Sequence, residues 1–207
     1  MPEQAQTGLV RRVEELRAAL AQQDTAILAQ TSGAVVENGR LHLQVWKTAV
    51  LLSPPDFVAR DAATGRELDP MTQALLAYYL NTADGTPPAH AWIAFTELPD
   101  GRFYTRAFQG YTGRELAQVF GNDVERLSET AVSLGGQAVE FAHVAFQFRP
   151  LPHVPLLIAC WLGDEDFPPS YKILFDAHTP HYLPTDACAI LGSMLTRRLL
   201  KQRVPDE

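Results

Sequence analysis

Apolar positions recur every three or four residues at both ends of the chain and every second residue through much of its middle. Leu9, Val13, Leu16 and Leu20 fall on one helical face, with Arg11, Arg12, Glu14, Glu15 and Arg17 on the other. Thr7 is the expected N-cap of that helix. A shorter helix is expected over 25–31, closing at Ser32-Gly33. From Ala34 the period drops to two. Val35-Val36-Glu37 leads into Asn38-Gly39, a tight-hairpin signal because both residues accept positive φ. Leu41, Leu43 and Val45 then alternate with His42, Gln44 and Trp46, and residues 49–52 either extend this strand or begin the next. Residues 57–59 read as a further short strand.

Asp69-Pro70 predicts a helix start, with an acidic cap and proline at the first position. Leu75, Leu76, Tyr79 and Leu80 form its apolar face. Residues 92–95 predict a strand, Leu98-Pro99-Asp100-Gly101 a turn, and 103–108 the returning strand. Helices are expected over 113–121 and 123–134, then a strand over 139–148. The longest apolar run, 154–162, has the character of a central strand, and 171–175 follows as another. Pro184-Thr185-Asp186 caps a last helix in which Ile190, Leu191, Met194, Leu195 and Leu199 are apolar. This order predicts an α+β fold: a largely antiparallel or mixed sheet packed with N-terminal, middle and C-terminal helices. One domain over 1–207 is expected, with 1–33 as a helical extension packed on it.

Composition narrows the function classes. The formal charge of −7 leaves no basic excess to neutralise phosphates, so nucleic acid is not an expected partner. The one basic cluster, Arg197-Arg198 with Lys201 and Arg203, sits where cations complement a helix C-terminus. Cys160 and Cys188 are too few for a disulfide framework or an iron-sulfur cluster. No apolar run reaches a membrane-spanning length and no signal-peptide centre opens the chain, which predicts a cytoplasmic protein without membrane contact. The sequence holds no G-x-S-x-G elbow, phosphate-binding glycine loop or HExxH helix.

Candidate chemistry concentrates between His153 and Asp186. One apolar run ends at Asp164-Glu165-Asp166; the next ends at Asp176, with His178 and His181 just beyond. Asp176, His178 and His181 make D-x-H-x-x-H, a hard oxygen and two imidazoles of the kind that hold zinc or non-haem iron. The plainer reading is a pair of loop histidines and a solubilising acidic turn. Strand direction decides whether the acidic triplet joins them: an antiparallel pair puts the two groups at opposite ends. Tyr78, Tyr79, Trp92, Phe95, Phe103, Tyr104 and Phe108 are either core or the lining of a flat-ligand pocket. On that second reading Tyr79, Trp92, His178 and His181 are the cofactor-binding candidates.

Several blocks in order resemble the DUF3786 family of uncharacterised prokaryotic proteins. They are Ala77-Tyr78-Tyr79-Leu80 with Thr82-Ala83-Asp84-Gly85, Trp92-Ile93-Ala94-Phe95, Glu97-Leu98-Pro99-Asp100-Gly101, Phe120-Gly121 and Leu134-Gly135-Gly136. Leu151-Pro152-His153-Val154-Pro155, the run Trp161 through Pro168, Leu174-Phe175-Asp176 and Tyr182-Leu183-Pro184-Thr185 complete the set. Some similar proteins carry an N-terminal iron-sulfur domain of the corrinoid iron-sulfur type; this chain has a helix there and no cysteine cluster. The resemblance implies a link to tetrapyrrole or redox metabolism by analogy and supplies no catalytic residues. Three functional expectations follow: a noncatalytic binding or accessory protein for a planar tetrapyrrole or corrinoid cofactor, a metal-dependent enzyme at 176–181, or an interaction module docking a redox or other protein partner.

Overall fold

The computed structural model describes residues 2–201, with side chains described from Gly8 onward. Helices α1 (Pro2–Leu20) and α2 (Thr25–Ser32) lead into a four-stranded antiparallel sheet of β1 (Val35–Glu37), β2 (Arg40–Val45), β3 (Thr48–Leu52) and β4 (Ala59–Asp61) in sequence order. Helix α1 begins at Pro2, so Thr7 lies within it and not at its start; the Thr7 side chain and Arg203 are outside the described residues. Asp24 caps α2 by accepting from the Ala26 amide, and Gly33, at φ 71°, ends it in the left-handed region that glycine adopts without strain. Asn38 and Gly39 both take positive φ in the β1–β2 turn, as their sequence demands.

The second sheet has five strands, β5 (Trp92–Ala94), β6 (Gln137–Ala138), β7 (Val144–Leu151), β8 (Val154–Trp161) and β9 (Ser170–Asp176), in the order β5-β9-β8-β7-β6 with antiparallel pairing throughout. β8 is the middle strand, and Val154 through Cys160 are all buried, as the continuous apolar run predicts. Helices α3 (Pro70–Thr82), α4 (Gly101–Gly110), α5 (Gly113–Phe120), α6 (Val124–Ser133) and α7 (Thr185–Lys201) complete the α+β arrangement. One core spans both sheets: Leu41 and Leu43 of β2 belong to the same buried cluster as Ile158 of β8, Phe175 of β9 and Leu191 and Leu195 of α7. On the far face of the five-stranded sheet, Ala145, Leu157, Ala159 and Leu174 make a smaller cluster flanked by Trp92 and Trp161.

Three expected elements differ: the strand expected over 57–59 runs instead over Ala59–Asp61, with Phe57 at φ 47° before it. Residues 103–108 lie within helix α4, not a strand. Phe108 is buried while Arg102, Phe103, Tyr104 and Arg106 point out, a helical segregation that aromatic enrichment had disguised as strand propensity. Its first residue must be glycine, because a Cβ on Gly101 would overlap the Phe95 carbonyl. Residues 139–148 divide between a loop and β7.

Strand direction settles the geometry of the acidic triplet. β8 and β9 pair antiparallel from Leu156↔Phe175 to Trp161↔Ser170. Asp164 and Asp176 therefore sit at opposite ends of β9, whose length is roughly 20 Å at about 3.4 Å per residue. Asp164 serves its own turn, its carboxylate accepting from the Asp166 amide (2.9 Å) and the Phe167 amide (2.8 Å).

Candidate functional site

Where β9 ends, the chain turns through His178, Thr179, Pro180 and His181 against the loop that follows α3. Asp176 makes that junction. Its carboxylate is 1% exposed and accepts three backbone amides: Ala89 at 2.8 Å, His90 at 2.7 Å and His178 at 2.9 Å. Both oxygens are thereby committed to pinning the 87–90 segment and the turn to His178. His90 is held at φ 56°, a left-handed conformation uncommon for a residue with a side chain.

The two imidazoles are oriented by other groups. His181 Nδ1 lies 2.7 Å from the Asp84 carboxylate, with the Thr86 hydroxyl at 3.3 Å. His178 Nδ1 lies 2.9 Å from the Pro87 carbonyl. A carbonyl oxygen only accepts, so His178 Nδ1 carries the proton, and the carboxylate selects the same tautomer of His181. In the neutral form of each ring, that leaves the Nε2 lone pair for another partner. The ring centroids are 5.4 Å apart and set edge to face. The His181 contact, followed by the Thr86 amide, pulls the Asp84 carboxyl down to about 2.

Beneath them lies a polar-tipped aromatic stack. The Tyr182 ring lies 5.7 Å from Tyr79 and 5.3 Å from His153. The Tyr182 hydroxyl donates to the Thr86 carbonyl and the Tyr79 hydroxyl to the Ser32 carbonyl, at 2.6 Å in the second case. Burial pushes the Tyr182 phenol up to about 12 and raises Tyr79 as well. His153 packs so close to Gly33 that a Cβ there would sit 2.7 Å from the His153 Nε2. Between the histidines, Thr179 is fully buried and its hydroxyl has no hydrogen-bond partner among the described residues.

The sequence-derived candidates therefore separate. His178 and His181 stand side by side at a half-exposed ledge. Asp176 lies at its base but faces the amides, and among the described residues no group of three His, Cys, Asp or Glu side chains is placed to hold a metal ion. Tyr79 is fully buried one ring below the ledge. Trp92, although opposite Asp176 in the β5–β9 ladder, packs on the far face of the sheet with Leu174 and Trp161. The wider aromatic set does not line one cavity: Phe95 stacks on Phe108 at 4.1 Å in the core, while Phe103 and Tyr104 are exposed. Asp84 and Pro87 were not legible as site residues. The only local signal was the Asp84-Gly85 loop after α3, and His181 lies 97 residues further along the chain.

No helix among the described residues is long and apolar enough to cross a membrane. No curated protein and no solved structure matches the chain. A family model does match, over residues 24–198, which takes in every element from α2 through most of α7. The chain belongs to that family, described as a domain of unknown function (DUF3786).

Proposed function

We propose that this chain is a noncatalytic binding or accessory protein for a planar metal-centred cofactor of the tetrapyrrole or corrinoid class, taken up through His178 and His181. The observation that carries this reading is the pair of adjacent imidazoles with Nδ1 engaged by the Asp84 carboxylate and the Pro87 carbonyl. Metal-ligating histidines have this arrangement, in which the outer hydrogen bond fixes the ring and raises the basicity of the free nitrogen. A bare ion held for hydrolysis needs three protein donors or more, which this ledge does not assemble. A macrocycle brings its own equatorial nitrogens and asks the protein for only one or two axial ligands. Binding rather than turnover also suits a half-exposed ledge, because catalytic electrostatics depend on excluding water.

Titrating the purified chain with haemin and with aquocobalamin, following the visible spectrum, tests the proposal. A saturable band shift is expected, lost in the His178→Ala, His181→Ala double variant. No saturable shift with either probe, or an equal shift in the double variant, overturns it.

A further inference from the structure

A groove formed by different residues lies between α1 and the chain that enters α3. Leu9, Val10 and Val13 on α1 face Leu68 and Pro70 across a groove of about 220 Å³. Arg17 and Gln73 line the same groove. Leu9, Val13 and Arg17 follow at i, i+4 and i+8, so the apolar wall and the guanidinium share one helical face over roughly 12 Å.

The guanidinium is held in place yet left incomplete. Gln73 is locked by Ala59, whose amide donates to Oε1 at 2.9 Å and whose carbonyl accepts from Nε2 at 2.8 Å. The same Oε1 accepts from Arg17 Nη2. Arg17 Nε is buried without a hydrogen-bond partner, and Arg17 has no carboxylate partner among the described residues. The nearby acids do not supply one: Glu67 pairs with Arg60 at 2.7 Å, and Glu14 is exposed. A cation that lines an apolar groove and has no carboxylate partner among the described residues is complementary to one anionic head on an aliphatic tail. Glu14 and Glu67 along the groove repel a dianion such as phosphate about twice as strongly as a monocarboxylate, and Glu67 is already paired with Arg60.

We propose that this groove binds a medium-chain aliphatic monocarboxylate, its carboxylate accepting from Arg17 and its tail lying against Leu9, Val10, Val13 and Leu68. The wall contributed by α1 lies outside the family-matched residues, whereas Leu68, Pro70 and Gln73 lie within them.

The test is calorimetric titration of the full chain with octanoate, beside octan-1-ol and inorganic phosphate. Saturable octanoate binding is expected, at least about tenfold tighter than octanol because the charge-assisted contact is lost with the alcohol, and no phosphate binding. Arg17→Met is expected to lose that preference, and Val10→Trp, which fills the groove from an exposed position and leaves the guanidinium, to abolish binding. Should Arg17→Met fail to fold, the wild-type Arg17 Nε–H and Gln73 side-chain amide resonances decide: they move on octanoate addition, or the site is wrong. Absence of saturable octanoate binding, octanol binding as tightly as octanoate, or unchanged binding by folded Arg17→Met overturns the proposal.

Discussion

Replacing Asp176 by alanine probes the joint on which the ledge rests. The substitution deletes the acceptor for three amides, those of Ala89, His90 and His178, in a residue only 1% exposed. A hydrogen bond to a charged group is worth about 1.5–3 kcal/mol net when fully buried. The Ala89 and His178 amides are half-buried and His90 is exposed, so water recovers part of the loss, leaving roughly 3–5 kcal/mol. For a chain of this size that is a fall in Tm of roughly 6–20 °C. Asp176→Asn keeps the oxygen that accepts from Ala89 and His178 but presents an NH₂ to the His90 amide, so about half the loss is expected. Asp164→Ala is the control, since it deletes acceptors for two amides in an exposed turn and is expected to cost about 1 kcal/mol or less. Urea unfolding of the three variants gives the comparison, and hydrogen exchange at the His90 amide localises it. An Asp176→Ala chain within about 1 kcal/mol of wild type, or a loss no larger than that of Asp164→Ala, refutes the reasoning.

Further outcomes follow from other contacts. Gly192→Ala in α7 gains about 1 kcal/mol of helix propensity, yet the new methyl would sit 2.6 Å from the buried Phe108 ring. Overpacking costs about 1–3 kcal/mol, so a lower urea midpoint is expected and a raised one contradicts the packing. Burial, then the Arg149 charge, depresses His153 below its ordinary 6.5. The unfolded chain therefore takes up that proton first as pH falls, and stability declines from pH 6.5 down to the folded pKa, then levels off. His153→Gln should flatten that part of the pH–stability curve; an unchanged slope excludes His153 as its source. Asp84→Asn removes the charge that orients His181 and is expected to weaken aquocobalamin binding about 10- to 100-fold while leaving Tm nearly unchanged, because both partners are half-exposed. A large Tm loss with unchanged affinity would assign Asp84 to stability instead.

Local chemistry in the sequence was enough to read many elements. Asp69 and Pro70 open α3 as expected, the Asp69 carboxylate accepting from the Met71 and Thr72 amides. Asn38-Gly39 makes its hairpin, and the run from Val154 becomes the middle strand. What failed was the reading of aromatics. Phe103 and Tyr104 look like strand residues by type, but Gly101 fits tightly beneath Phe95 and the Phe108 ring stacks on it, a tertiary arrangement that favours helix α4. The site was legible in one half only. His178 and His181 are close in sequence, whereas Asp84 and Pro87, which orient them, precede β5 and meet them through the β5–β9 pairing and the amides that Asp176 pins. Asp176 was legible as a residue of this region, but its role depends on amides 86 and 87 positions away.

The most direct measurement is nitrogen NMR of the chain with ¹⁵N-labelled histidine, before and after aquocobalamin. In the free chain the neutral rings of His178 and His181 should both show the Nδ1–H tautomer that their partners dictate. Addition of the corrinoid should then move the Nε2 resonance of at least one of them by direct ligation. Nε2–H tautomers in the free chain, or Nε2 resonances that stay in place at saturating corrinoid, would contradict the account.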